Sequence, residues 1–223
     1  AYAEYTRVGA RETLRLPENI SYTEGALVEP LAVGLRAAKR ARLKPGDTVL
    51  IIGGGPVGLS VALWCKFFGA RHIVVSDLVM SRSEQATRFG ATAAIDASKE
   101  DVAERFAQLT GGAPSVVFDA VGVPGSMQIA IDQAPNYGRV VVVGLCMLTD
   151  HFNPAAAVLK EVDIAFCFCY ERADFDMAVD MLAQGRIDAA ALVTHSVGFD
   201  DFSAAFESLK TPSDQIKVML EPH

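Results

Sequence analysis

The run Thr48-Val49-Leu50-Ile51-Ile52-Gly53-Gly54-Gly55-Pro56-Val57-Gly58 decides how the rest of the chain is read. Thr48 to Ile52 are β-branched or apolar, as in a parallel strand buried on both faces. They lead directly into glycines spaced G-x-G-x-x-G, at Gly53, Gly55 and Gly58. Leu59 to Phe68 is apolar and free of proline, so a helix is expected to begin near Pro56, where the first turn has no partner for an N–H in any case. The glycines have separate tasks in such a loop. Gly53 permits a tight turn, Gly55 lets a pyrophosphate approach the backbone, and Gly58 lets helix and strand pack closely. The free N–H groups and positive dipole end of the helix would then face the phosphates.

A second strand, His72-Ile73-Val74-Val75-Ser76, ends in Asp77, nineteen residues after Gly58. A carboxylate there accepts hydrogen bonds from the ribose hydroxyls of NAD and repels the 2′-phosphate of NADP. Strand, glycine loop, helix, strand and acid in this order predict a dinucleotide site that prefers NAD.

Bulk properties narrow the class. Of 223 residues, 51% are hydrophobic and 21% charged, enough for a sizeable core in one large domain or two small ones. The net charge of −7, with no run of Lys or Arg, argues against nucleic acid as a partner. No apolar run approaches the ~20 residues that span a bilayer. No signal peptide is visible, although a chain that begins with Ala1 instead of methionine is open to removal of something upstream. Cys65, Cys146, Cys167 and Cys169 lie in apolar surroundings without C-x-x-C spacing, the pattern of buried free thiols in a reducing compartment. The expectation is a soluble, cytoplasmic α/β protein.

Upstream of the glycine loop, Tyr2 to Leu16 alternates weakly, like a strand, and Pro17-Glu18-Asn19 reads as a turn. Ser21 or Thr23 can cap a helix starting there. Glu24 to Leu35 is apolar on nearly every side except at Glu29, a carboxylate that is costly to bury without a cation or donors. Glu29 either caps or pairs locally, or faces a metal or active-site cleft. Pro30 is expected to end one helix near Glu29 and start another, Leu31 to Ala41. After Asp77, helices are predicted over 81–89, 100–109, 126–133 and 155–160. Strands are predicted over 93–95, 115–119, 139–144 and 163–170. This alternation predicts a doubly wound parallel sheet with helices on both faces. From Phe175 onward the pattern changes to a helix closed by Gly185, short strands at 193–197 and 216–220, and a helix from Phe202 to Leu209.

The order of these stretches resembles the medium-chain dehydrogenase/reductase superfamily, most closely its zinc-dependent polyol dehydrogenases of the sorbitol dehydrogenase type. Carrying the resemblance are Ala26-Leu27-Val28-Glu29-Pro30-Leu31-Ala32-Val33-Gly34, the glycine motif, Asp77, Lys160-Glu161-Val162-Asp163-Ile164 and Leu192-Val193-Thr194-His195. The resemblance implies a Rossmann NAD-binding domain over 31–171. Remnants of a GroES-like catalytic domain would flank it, over 1–30 and 172–223. It also implies that the family's catalytic cysteine, its Gly-His-Glu metal motif and its structural-zinc lobe fall outside this sequence. None of His72, His151, His195 and His223 lies beside a second ligand at metal spacing.

Carried over residue by residue, Val57 is similar to the loop residue whose backbone meets the pyrophosphate, and Asp77 to the ribose acid. Arg82 is similar to the arginine against the adenosine half, or is an exposed helix charge. Val143-Gly144-Leu145 resemble the backbone that meets the nicotinamide. Phe168-Cys169-Tyr170 resemble the segment beside nicotinamide and substrate, with Cys169 where the sorbitol-type enzymes have an arginine. Glu29 resembles the acid that approaches the catalytic zinc directly or through its water. No residue of this chain is assigned as catalytic, and His195 reads as structural. Residues 166–170 resemble the edge strand that pairs subunits into a homo-oligomer, dimer or tetramer. The implied activity is zinc-dependent, NAD-linked oxidation of a secondary alcohol of a polyol or related small molecule. A nucleotide-binding unit without turnover and a zinc-independent reductase of the same superfamily stand as alternatives.

Overall fold

The computed structural model describes residues 2–211 and 213–222. Ala1 and His223 therefore lie outside the described residues. Strands β1 (Thr48–Ile52), β2 (His72–Asp77), β3 (Ala93–Asp96), β4 (Val116–Asp119), β5 (Arg139–Val142) and β6 (Asp163–Phe166) form one wholly parallel sheet. Their order is β3-β2-β1-β4-β5-β6. The chain steps outward from β1 to β3, then returns to the other side of β1 with β4. In open α/β sheets the ligand crevice lies at such a reversal, beyond the carboxyl ends of the strands.

Side chains alternate across the sheet and divide the core into two layers. Val49, Ile51, Val116, Phe118 and Val141 face the layer of α1 (Tyr22–Arg40), α2 (Pro56–Phe67) and α7 (Arg172–Ala183). Leu50, Val74, Val117 and Val140 face the other layer, with Phe106 of α4 (Val102–Thr110) and Ala130 of α5 (Ser126–Gln133). All of these are buried, and burying a Val, Leu or Phe is worth roughly 1.5–3 kcal/mol over its exposed state. A slip of one residue in any strand would exchange the layers, which pins the register. The predicted strands and helices of this region therefore form, within a residue or two at most ends.

Helix α1 departs from expectation. It runs unbroken from Tyr22 to Arg40 with Pro30 in its interior, where two helices were expected. Proline inside a helix removes one ladder hydrogen bond and crowds the preceding turn, at about 3 kcal/mol. Burial offsets this: Leu27, Val28, Pro30, Leu31 and Ala32 are all buried, and α2 is bonded to α1 at this same turn. The Ser60 hydroxyl donates to the Pro30 carbonyl and the Trp64 indole to the Leu31 carbonyl, each at 2.8 Å. Gly34 makes the crossing possible, since a Cβ there would collide with Ser60. At the start of α1, Ser21 is the cap. Its hydroxyl accepts from the Glu24 N–H while the Glu24 carboxylate accepts from the Ser21 N–H, holding the Glu24 carboxyl below its usual range.

Helix α3 (Met80–Gln85) continues as a 3-10 turn and stops at Gly90 in the left-handed conformation. Helix α6 (Pro154–Lys160) leads into β6, and α8 (Phe202–Ser208) lies between β7 (Val193–Val197) and β8 (Lys217–Leu220), a separate parallel pair. Leu192, Ile216 and Met219 join the buried cluster of α1 and α2. Lys39 of α1 pairs at 2.7 Å with Asp174 of α7, a carboxylate that is almost fully buried.

Three further expectations are corrected. Residues 2–16 form no strand and are mostly exposed, because no neighbouring strand offers them a ladder and a lone strand has nothing to bond. Strand β6 ends at Phe166 instead of reaching Tyr170, and Cys169 takes a left-handed backbone with φ +47°. The chain therefore turns off the sheet before the segment expected to pair subunits is complete. Of the cysteines, only Cys65 is fully buried; Cys146 and Cys167 are half-buried and Cys169 is exposed. Burial pushes the Cys65 thiol far up and the Cys167 thiol up. Among the described residues, no helix is long and apolar enough to cross a membrane.

Candidate cofactor site

The glycine loop sits where β1 ends and α2 begins. Gly53 adopts φ +102°, a conformation open to glycine at little steric expense. A Cβ on Gly58 would run into the Gly53 carbonyl oxygen, so strand and helix meet too closely for any other residue. Gly55 caps α2 without a side-chain hydrogen bond, and a Cβ there would meet nothing within 4 Å. The N-terminus of α2 is thus uncapped and opens outward. An uncapped helix start with an open glycine in front of it is a cradle for a phosphate.

Asp77 closes β2 beside this loop. One carboxylate oxygen accepts the Gly54 N–H at 2.7 Å and the other the Val79 N–H at 2.8 Å. The acid therefore holds the glycine loop as well as facing the cleft. Gly53, Asp77 and Arg82 line one cavity of about 430 Å³, together with Leu78, Val79 and Val121. That volume falls in the range of small-molecule sites, and the wall is largely apolar, as a purine requires. Arg82 is half-buried, and its Nε donates to the Ser213 carbonyl at 2.7 Å. It is tied to the C-terminal segment and is not a free surface charge.

Val143, Gly144 and Leu145 follow β5 and lie outside that cavity. They join it through a contact between glycines. A Cβ on Gly122 would come within 2.6 Å of the Gly144 carbonyl carbon, and one on Gly144 would collide with the Gly122 nitrogen. Beneath this contact is Asp119, the last residue of β4, which is 1% exposed. Its carbonyl accepts the N–H groups of Val143 at 2.8 Å and Gly144 at 2.9 Å. Its carboxylate accepts the Ser126 hydroxyl at 2.7 Å and the N–H groups of Val121 at 3.0 Å and Gly122 at 3.4 Å. Sequence reasoning took Asp119 only as the end of a strand. The signal was available, since an acid closes β4 just as Asp77 closes β2.

Glu29 and the 168–170 segment form a separate corner. Glu29 is exposed on α1, so the expected burial of its carboxylate does not arise; α1 packs its apolar residues on either side and leaves this position outward. Tyr170 is half-buried, and burial, then the nearby Glu29 carboxylate, then Cys169 push its phenol up. Phe168 and Leu145 are largely exposed. Among the described residues, no group of three or more His, Cys, Asp and Glu side chains could hold a metal ion. Glu29 alone does not fit a tetrahedral zinc site, which takes three or four protein ligands.

A doubly wound parallel sheet with a glycine loop at its order reversal defines a Rossmann-like α/β protein. The chain belongs to the zinc-binding dehydrogenase family, whose model matches residues 56–184. It is 36% identical over 210 residues to the sorbitol dehydrogenase of Ovis aries, an alignment covering 93% of this chain and 59% of that protein. Two solved structures superpose closely. An alcohol dehydrogenase from Escherichia coli CFT073 complexed with NADH has a TM-score of 0.88 at 25% identity, covering 96% of this chain and 63% of that one. A structure from Sinorhizobium meliloti 1021 bound to NADP has a TM-score of 0.90 at 27% identity, covering 100% and 66%. The chain thus spans about three fifths of the length of the curated relatives it matches.

Proposed function

We propose that this chain binds NAD and supplies the cofactor half of an alcohol or polyol dehydrogenase. The observation that carries the reading is the position of Asp77, which anchors the glycine loop and lines the cleft at once. When bound, NAD accepts the hydride from the alcohol carbon. The residues of this chain bind and orient. The loop of Gly53, Gly55, Val57 and Gly58 and the first turn of α2 receive the pyrophosphate. Asp77 receives the ribose hydroxyls, and Arg82 lies along the adenosine half. The backbone of Val143, Gly144 and Leu145 borders the nicotinamide, with Phe168, Cys169 and Tyr170 on the substrate side.

Sorbitol dehydrogenase among the relatives supports a secondary alcohol of a polyol or a related small molecule as substrate. Zinc enters this reading only through ligands beyond the described residues, with Glu29 the single acid this chain offers. The division into 1–30, 31–171 and 172–223 belongs to the same reading. So does a homo-oligomer paired along β6, supported by the edge position of that strand and the exposed Val158, Leu159 and Phe166. A second reading, a nucleotide-binding unit without turnover of its own, is favoured by the lack of a metal-ligand cluster among the described residues.

Calorimetric titration with NAD and NADP tests the binding, with NAD the tighter ligand. Equal dissociation constants would remove the role given to Asp77. Incubation with NAD, zinc and sorbitol tests the division of labour: no NADH is expected from this chain alone, and its formation would exclude the second reading and overturn the placing of the zinc ligands outside the described residues.

A further inference from the structure

Asp119 is a buried carboxylate with no ion-pair partner among the described residues. A charge in that position is costly unless donors surround it, and its donors come from the turn that follows β4 and from the first residue of α5. The carboxylate gathers Val121, Gly122 and Ser126, while its own carbonyl takes the end of β5. One residue therefore sets the spacing of two loops. The turn it shapes puts Gly122 at φ +71°, a conformation that favours glycine, and presses it on Gly144 with no room for a side chain on either. Asp150, bonded at 2.6 Å to the Gly125 N–H, straps the same turn further out. The adenosine cavity has two walls. Asp77, Leu78, Val79, Arg82 and Ala97 reach it from the ends of β2 and β3 and from α3, and Val121, Val123 and Ser126 reach it from this turn and the start of α5.

We propose that Asp119 is a positioning residue for the nicotinamide half of the cofactor, fixing the backbone at 143–145 through the Gly122–Gly144 contact. This rests on the NAD reading above. The adenosine half keeps the wall supplied by β2, β3 and α3, whereas the backbone at 143–145 meets the cleft through the Gly122–Gly144 contact, so loosening Asp119 weakens the nicotinamide end more than the adenosine end.

The test compares two probes on the whole chain: NADH, and ADP-ribose, which lacks the nicotinamide. In Asp119→Ala, NADH affinity is expected to fall about tenfold more than ADP-ribose affinity, equivalent to about 1.4 kcal/mol. The fluorescence enhancement of bound NADH, which reports on the ring's surroundings, should fall with it. Asp119→Asn keeps the volume and one acceptor, so it should move both readouts the same way by a smaller amount. It carries the test if Asp119→Ala fails to fold. Equal losses for the two probes, or no loss for either, would overturn the role of Asp119 while leaving the cofactor reading intact. Failure of the unsubstituted chain to bind ADP-ribose would overturn the cofactor reading itself, and this proposal with it.

Discussion

The cleft at Gly53–Gly58, beyond the end of central β1, and the corner at Glu29 and Tyr170, beyond the end of edge strand β6, are built differently. In the cleft, close backbone packing and carboxylate–amide bonds determine nearly every position. Gly58 touches Gly53, Asp77 holds Gly54 and Val79, and Asp119 holds the turn that meets Gly144. At the corner, Glu29 is exposed, Cys169 turns outward and Phe168 is 75% exposed. A phosphate needs preorganised backbone donors and a ribose needs a carboxylate acceptor, and the cleft has an uncapped helix start and Asp77 side by side. Side-chain ligands and an enclosed space are what alcohol chemistry needs, and the corner offers one carboxylate. In the function proposed above, this contrast is the division between cofactor binding and alcohol chemistry.

Four substitutions would break or sharpen that contrast. The largest effect is expected from Gly58→Val, whose side chain collides with the Gly53 carbonyl. It should destabilise the fold by about 3 kcal/mol and abolish NAD binding, measured by urea unfolding and calorimetry. A tolerated valine would mean that helix and strand can separate. Next is Asp77→Ala, which leaves the Gly54 and Val79 N–H groups without their acceptors. NAD affinity should fall about 30-fold, roughly 2 kcal/mol, with a smaller loss for NADP. Equal losses would show that Asp77 only holds the loop and does not read the ribose.

A smaller effect is expected at the opposite end of the sheet, where Asp47 binds Arg139, Ser115 and the Lys44 N–H. Partial burial pushes the Asp47 carboxyl up. The Lys44 amide, the hydrogen bonds from Arg139 and Ser115, and the Arg139 charge outweigh this and leave it below its usual range. A carboxyl depressed in the folded state adds stability that is fully present above its unfolded value of about 3.9. That stability is lost as pH falls further, through the folded value. Asp47→Asn should therefore lower stability by about 1.5 kcal/mol near neutral pH and flatten the acid limb of the stability–pH curve. NAD affinity should be unchanged, and a change would couple the sheet base to the cleft. The smallest effect belongs to Glu29→Gln, with stability within about 0.5 kcal/mol and unchanged NAD affinity by calorimetry. A drop in affinity would join the corner to the cleft.

Much of this was legible in the residues. The β-branched and apolar run of β1, the glycine spacing and the acid that closes β2 specify a local geometry whose physics is short-range, and these elements form close to the expected ends. Helix α2 starts at Pro56, and α5 spans the expected 126–133. The misreadings have a common origin. Local sterics predict a break at Pro30, yet a buried surround, bonded to α2 through Ser60 and Trp64, carries the helix through it. Residues 2–16 alternate like a strand, but alternation is only half of a strand and no partner is present. Residues 167–170 are apolar enough for β-structure, and Cys169 nonetheless turns left-handed at the sheet edge.

The sequence by itself determined the parallel sheet, the glycine loop and the acid beside it, because each depends on residues a few positions apart. Only the tertiary structure decided what surrounds them. It joined Asp119 to Gly144, tied Arg82 to the Ser213 carbonyl, carried α1 through Pro30 and left Glu29 in the open. Each of those outcomes depends on which distant donor, carbonyl or side chain comes to lie alongside, and no spacing along a single chain encodes that.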